Sequence, residues 1–237
     1  MHLVLFDIDG TLLDARGAGR RAMRRTLKEV FGTWGVLDTY NMAGRTDRTT
    51  IRDVLTAVGI SEEEIERRMP QVRRLFPLYL EEELRARPPL VLAGSKEIIL
   101  RLQKRRDVVL GILTGNLEEG AYLKLRYAGF DPTVFRVNAF GSDALTRDEL
   151  PYVALERAER LLGITFRGED MVIVGDTPLD IQCSQVVGAK SIAVATGPFP
   201  AEVLQQYRPD VVLPDLRDTS RVEALILNGK HREAGRS

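Results

Sequence analysis

One cysteine, two histidines and no surplus of either charge are the first limits on this 237-residue chain. Cys183 has no partner for an internal disulfide, which suits a reducing compartment and excludes a disulfide-stapled scaffold. The histidines, His2 and His231, stand near opposite ends and form no cluster with metal-ligand spacing. Lys plus Arg and Asp plus Glu both number 34, so the formal charge is zero. The basic excess expected of a nucleic-acid binder, or of a protein held on an acidic membrane, is therefore missing. No apolar run approaches the length of a bilayer span. No charged-then-apolar leader precedes the first apolar stretch at Leu3, so the expectation is a cytoplasmic protein with neither nucleic acid nor membrane as partner. A Walker A phosphate loop is also absent. The run from Gly17 to Ala22 matches GxGxxA, but lies too far beyond the first strand for dinucleotide binding to be expected.

What is present is an ordinary soluble composition, 44% apolar and 29% charged, enough for one large core or for a core with a smaller domain beside it. The informative stretch is LVLFDIDGTLL, residues 3–13. Its apolar run ahead of a glycine turn predicts a strand buried on both faces. Asp7 ends that strand, where an ionised side chain is costly to bury uncompensated. Asp9 follows one residue on, so both acids would share a side if the strand continued. Two crowded acids at a strand tip call for a cation. An Asp-x-Asp-Gly that merely caps a turn is the plain alternative.

Beyond Asp14 the pattern turns helical. Residues 20–31, a segment through Ile51 to Val58, and a charged segment opened by Ser61 and Glu64 carry helical spacing or capping signals. Pro70 and Pro77 are expected to kink or break the last of these, and Pro88-Pro89 ends the block. No strand is expected in residues 15–89. After it, helices over 96–104, from Asn116 to Tyr127 (Asn116 and Glu119 as a capping box), over 150–162 and from Thr177 alternate with strands over 108–113, 135–140, 171–174, 191–195 and 211–213. That alternation predicts a doubly wound α/β parallel sheet. The expected division is a core of residues 1–14 and 90–237 with an all-helical cap of residues 15–89 inserted after the first strand. The tail, residues 230–237, reads as frayed.

Polar residues gather at three predicted strand tips: Asp7 and Asp9, then Thr114-Gly115-Asn116, then Gly175-Asp176. In an open parallel sheet those tips line one edge, where ligands bind and helix N-termini offer donors to an anion. Carboxylates and an anion repel unless a hard divalent cation lies between them, and oxygen ligation of this kind suits Mg²⁺. The chemistry indicated is phosphoryl transfer to a carboxylate nucleophile.

Three segments in this order, FDIDGTLL from Phe6, ILTGN from Ile112 and VGDTPLDI from Val174, resemble the haloacid dehalogenase-like (HAD) superfamily across nearly the whole chain. The nearest members in character are the phosphoglycolate phosphatases and β-phosphoglucomutase-like proteins with a helical cap. The resemblance implies that Asp7 is the nucleophile and Asp9 the general acid and base. It implies that Thr114, Gly115 and Asn116 hold the phosphoryl oxygens, and that Asp7, the Asp9 carbonyl and Asp176 bind Mg²⁺. Asp180 is expected to cap its helix with Thr177 and equally to support Asp176.

The departure is the third family motif, which usually supplies a lysine; none occurs between Lys124 and Lys190. Arg147 is expected to stand in, with Arg136, Arg157 and Arg160 as rivals, the last two expected to face solvent. Cys183 is expected to be a small buried thiol. Of the arginines in or near the cap, Arg20, Arg45 and Arg48, Arg45 is expected to meet a charged group of the substrate, because Gly44 and Thr46 place it in a loop. The function expected is a Mg²⁺-dependent phosphatase of a small phosphorylated metabolite, phosphoglycolate foremost, acting as a monomer or homodimer. The rivals are a phosphomutase, a non-catalytic aspartate phosphoacceptor module and a scaffold with a decayed site. An acid at Asp9 and a large cap argue against the phosphoacceptor, and the intact set of Asp7, Asp9, Thr114 and Asp176 argues against the scaffold.

Overall fold

In a computed structural model, which describes residues 1–228, strand β1 (His2–Phe6) is the spine of a six-stranded parallel sheet. Both faces of β1 are covered, and Leu3 to Phe6 are fully buried. It is followed by a two-residue strand β2 (Leu13–Asp14) and three helices, α1 (Ala18–Phe31), α2 (Asp47–Thr56) and α3 (Glu62–Ala86). Strand β3 (Leu90–Val91) then pairs antiparallel with β2, and α4 (Ser95–Leu102) returns the chain to the sheet at β4 (Val108–Thr114). The rest alternates: α5 (Glu118–Tyr127), β5 (Val137–Phe140), α6 (Leu150–Leu162), β6 (Met171–Gly175), α7 (Pro178–Val186), β7 (Lys190–Val194), α8 (Ala201–Gln206), β8 (Val211–Leu213) and α9 (Thr219–Leu227). The expected frayed tail, residues 230–237, lies outside the described residues, as does His231.

The sheet order is β5-β4-β1-β6-β7-β8, all parallel, so the chain departs from β1 to both sides. That reversal opens a crevice at the C-terminal ends of β1, β4 and β6. Register brings the three polar tips together, because Phe6 pairs with Ile112 on one side and with Val174 on the other. Alternation along the strands separates the two faces. Val4, Phe6, Leu110, Ile112, Val172 and Val174 join one apolar cluster, and Leu3, Leu5, Val109, Leu113, Met171 and Ile173 join the other. The first cluster continues without a break into the helical insertion through Leu27, Val72, Phe76 and Leu80.

Three expectations need correction or addition. Pro70 and Pro77 do not break their helix: α3 runs for 25 residues through both. Seven residues apart, the prolines share one side of the helix, beside its buried stripe of Ile65, Met69, Val72, Phe76, Leu80 and Leu84, so the missing N–H groups fall off the packed face. The short β2–β3 pair was not legible, since two residues carry no period; it ties the start and end of the insertion together. Helices α8 and α9, six and nine residues long, were likewise not read from the sequence. Among the described residues no helix is long and apolar enough to cross a membrane.

Gly111 tests the sheet's packing. A Cβ there would lie 1.8 Å from the Val137 carbonyl oxygen and 2.6 Å from Leu5, so β4 can sit between β1 and β5 only without a side chain at this point. Gly111→Ala is expected to cost about 1–3 kcal/mol, as overpacking does. Urea denaturation checks this; a midpoint equal to wild type would show that the strands can part.

Candidate active site

The chain leaves β1 at Asp7, whose N–H still donates to the Val174 carbonyl at 2.9 Å, and turns sharply over residues 8–13. Gly10 makes the turn possible. Its φ of +83° is a left-handed conformation, and a Cβ would lie 2.2 Å from Asp176 Oδ2. Asp7 is therefore held beside Asp176 by backbone, and Thr11 donates to Asp176 Oδ1 at 3.0 Å. Asp7, Asp176 and Asp180 are all buried and present ligand oxygens within 4.8 Å of one another.

Arg147 enters this cluster from the segment before α6. Its Nη2 lies 3.1 Å from Asp7 Oδ1, contacts Asp180 Oδ1 and donates to the Leu113 carbonyl, while Nη1 donates to Gly44 O at 3.0 Å. Burial opposes its charge, but Asp180 and Asp7 outweigh that, and its pKa stands above the ordinary arginine value. Of the rivals, Arg136 and Arg160 are exposed. Arg157, expected to face solvent, is instead half-buried in an ion pair with Asp143 at 2.6 Å, because the loop after β5 folds back over α6.

Asp180 and Thr177 form a full capping box at the start of α7: the Thr177 N–H and O–H donate to Asp180 Oδ2 at 3.0 and 2.6 Å. With Oδ1 given to Arg147, both Asp180 oxygens are engaged. Asp176 differs: its Oδ2 is buried with no hydrogen-bond partner. Burial first, then Asp7 and Asp180, push its pKa well above the ordinary value. Asp7 is pushed up to about 6 by burial, with Arg147 pulling down and Asp180 and Asp9 pushing up. With all three carboxyls ionised, one guanidinium leaves two negative charges uncompensated, and Asp176 Oδ2, packed against Gly10 and Gly197, has no donor. Hard oxygen donors with that charge deficit fit a divalent metal ion, held by Asp7 and Asp176 and supported by Asp180.

The opposite wall is the loop after β4. Thr114 is buried, and the Asn116 amide donates both to Thr114 Oγ1 and to Asp9 Oδ2, each at 2.8 Å. Asn116 is thus no helix cap. Leu117 occupies that position on α5, and the Asn116 side chain is drawn instead to Asp9. Helix α2 approaches from the insertion: the Asp47 N–H donates to the Gly115 carbonyl at 2.7 Å, and Asp47 Oδ2 accepts from the Leu117 N–H at 2.8 Å. Asp9, Arg45, Arg147 and Asp176 all line one cavity of about 510 Å³. Arg45 is half-exposed, 5.4 Å over the Tyr40 ring and 3.9 Å from Asp53. Arg20 is turned to the Leu37 and Tyr40 carbonyls, and Arg48 pairs with Glu66. Cys183 is fully buried.

An HAD-like hydrolase model matches residues 4–194. The chain belongs to the haloacid dehalogenase-like hydrolase family. Among its relatives are pyrophosphatase PpaX of Oceanobacillus iheyensis, 22% identical over 92% of this chain and 94% of that one, and a phosphoglycolate phosphatase of Pseudomonas putida, 22% identical over 91% and 77%. Solved structures with this HAD-like fold include a hydrolase from Pseudomonas syringae (TM-score 0.69, 17% identity, 95% and 98% covered) and CbbY from Rhodobacter sphaeroides in complex with phosphate (TM-score 0.62, 18%, 92% and 96%).

Two polar residues at the site belong to none of the three sequence segments. Lys124, buried on α5, contacts Asp9 and Asn116, and Asp47 reaches across from α2. The signal for Lys124 was present: it interrupts the apolar stripe of Leu117, Ala121, Leu125 and Ala128, where a charge requires a partner. Asp47 had no such signal, since an acid in a first helical turn is ordinary.

Asp47 gives a pH test. Its carboxyl is pushed up to about 6 by burial, against the pull of Lys124 and the Leu117 N–H. The folded value exceeds the ordinary 3.8, so the folded state holds the proton more tightly, and that contribution to stability is lost as pH rises toward about 6. Asp47→Asn removes the titration. The stability of the variant minus that of wild type is expected to increase with pH from about 4 to about 6 and then level off. Urea melts across this window measure it, and a flat difference would remove Asp47 as a titrating group.

Proposed function

We propose that this HAD-like phosphatase hydrolyses a small phosphate monoester, phosphoglycolate foremost, in two steps through an aspartyl-phosphate on Asp7. The observation that carries the reading is the environment of Asp7: a buried carboxylate at the central strand tip, 3.1 Å from the Arg147 guanidinium and within 4.8 Å of carboxylate oxygens of Asp176 and Asp180. The names of the relatives, a pyrophosphatase and a phosphoglycolate phosphatase, share cleavage of a P–O bond, an anhydride in one and a monoester in the other.

In the first step an Asp7 oxygen attacks phosphorus, the bond to the ester oxygen breaks, and Asp9 gives its proton to that leaving oxygen. In the second, water attacks phosphorus, its proton passes to Asp9, and the acyl-phosphate bond breaks to free Asp7 and phosphate. Asp9 suits both duties because its side chain is 39% exposed, against 6% for Asp7, so it meets the cavity and incoming water. Thr114 and the N–H groups of Gly115 and Asn116 hold the phosphoryl oxygens; removing one such donor typically costs roughly 10²–10³ in rate. Arg147 keeps Asp7 oriented and offsets charge. Asp7, Asp176 and the Asp9 carbonyl would hold Mg²⁺, which when bound would supply Lewis-acid neutralisation of the phosphoryl charge.

Residues 15–89 form the cap in this reading, over a core of residues 1–14 and 90–237, and Arg45 faces the substrate from it. Hydrogen bonds from Asp47 to the 114–117 loop and from Arg147 to Gly44 carry the cap's position to the site, so that substrate closure excludes water from the first step.

Asp7→Asn removes the nucleophile and is expected to lower phosphate release by roughly 10³-fold or more, with the fold intact. Near-normal turnover would remove Asp7 from that role. Exhaustive chelation is expected to abolish release and added Mg²⁺ to restore it; activity that survives chelation would sink the metal assignment.

A further inference from the structure

Lys124 belongs to none of the three strand tips, yet it lines the active-site cavity. It stands on the inward stripe of α5 beside Ala121 and Leu125, and its side chain is only 5% exposed. Its ammonium lies 2.6 Å from Asp9 Oδ2 and 2.5 Å from Asn116 Oδ1. An ammonium carries three N–H donors, so these two acceptors leave one over. Gly19, at the start of α1, adds no side chain in front of it: a Cβ there would stand 3.4 Å from Nζ.

Two of the other cations lining the cavity among the described residues are committed elsewhere, Arg147 to Asp7 and Asp180 and Arg20 to two backbone carbonyls, while Arg45 stands on the insertion side, half-exposed over Tyr40. Lys124 is also tied to the acid: Thr114, Asn116, Asp9 and Lys124 form a continuous hydrogen-bonded row at the cavity wall. In the reading above the ester oxygen faces Asp9, so a group attached to that oxygen comes within reach of the Lys124 ammonium, 2.6 Å from Asp9 Oδ2.

We propose that Lys124 is a specificity residue that receives an anionic group on the leaving group, close to the ester oxygen. The inference rests on the phosphatase reading above and narrows its substrates to esters of small hydroxy acids or a second phosphoryl group. Before substrate arrives, Lys124 is satisfied by Asp9. The substrate's anion takes over that contact, and Asp9, carrying the proton that the second step leaves on it, is released toward the leaving oxygen. A neutral leaving group cannot replace Asp9 at the ammonium, so it leaves Asp9 engaged. Productive use of Asp9 is thereby coupled to recognition of the acid.

Matched esters that differ only by a carboxylate in place of a methyl group test this: phosphoglycolate with ethyl phosphate, and phospholactate with isopropyl phosphate, all with MgCl₂. Wild-type kcat/KM is expected to be at least about tenfold higher on the acidic member of a pair, since a site built around a polar partner rejects the analogue lacking it. Lys124→Met is expected to lose at least about tenfold more on the acidic member than on the neutral one, mainly through KM, and Lys124→Arg to regain part of the loss. Equal losses on both members would make Lys124 a positioning residue for Asp9 and overturn the proposal, as would a wild type with no preference. The wild-type comparison needs no variant, so a misfolded Lys124→Met does not leave the question open. If wild type released phosphate from none of the four, the phosphatase reading itself would fail; release without preference would fail only the Lys124 assignment.

Discussion

The structure depends on one electrostatic constraint: three carboxylates, Asp7, Asp176 and Asp180, are buried together with a single guanidinium, Arg147, among them. Such a cluster is unfavourable in a low-dielectric interior unless each charge is placed and partnered. The surrounding architecture supplies that placement. Gly10 brings the first turn against Asp176, the capping box fixes Asp180, and Arg147 spans from β1 to the insertion by way of Gly44. What the protein leaves uncompensated, a pair of charges and the Asp176 Oδ2 atom, is what a divalent metal ion would complete.

A second charged row runs away from this cluster. Asp9, Asn116 and Lys124 are linked by hydrogen bonds, and Asp47 joins the same loop from the insertion. The two rows divide the chemistry in the proposed mechanism. The first makes and breaks the bonds to phosphorus, and the second, which reaches the cavity through the partly exposed Asp9, handles the proton and the leaving group. Arg147 and Asp47 each bridge the sheet and the helical insertion, so both rows sense where the insertion sits.

The sheet was legible because buried parallel strands are written as short apolar runs with polar tips, and β1, β4 and β6 follow that rule. Elements of two residues, such as β2 and β3, carry no period to read, and the prolines of α3 misled because their cost depends on which face they occupy. Asn116 misled for another reason: its spacing to Glu119 imitates a cap, but Asp9, more than a hundred positions away, competes for the same amide. Arg157 shows the same limit, since its partner Asp143 is set by how the loop after β5 folds.

The sequence by itself determined the parallel α/β core, the helical insertion after the first strand, and the three segments whose polar ends carry the site. Local pattern suffices there, because periodicity and turn chemistry act over a few residues. Only the tertiary structure decided which cation stands against Asp7 and which against Asp9. Arg147 and Lys124 lie far along the chain from their partners, and their pairing follows from sheet order and from the burial that makes an unpaired charge costly. The first strand and its two acids could be read at once, but the two different environments of Asp7 and Asp9 arise only where β4, α5 and the segment before α6 meet them.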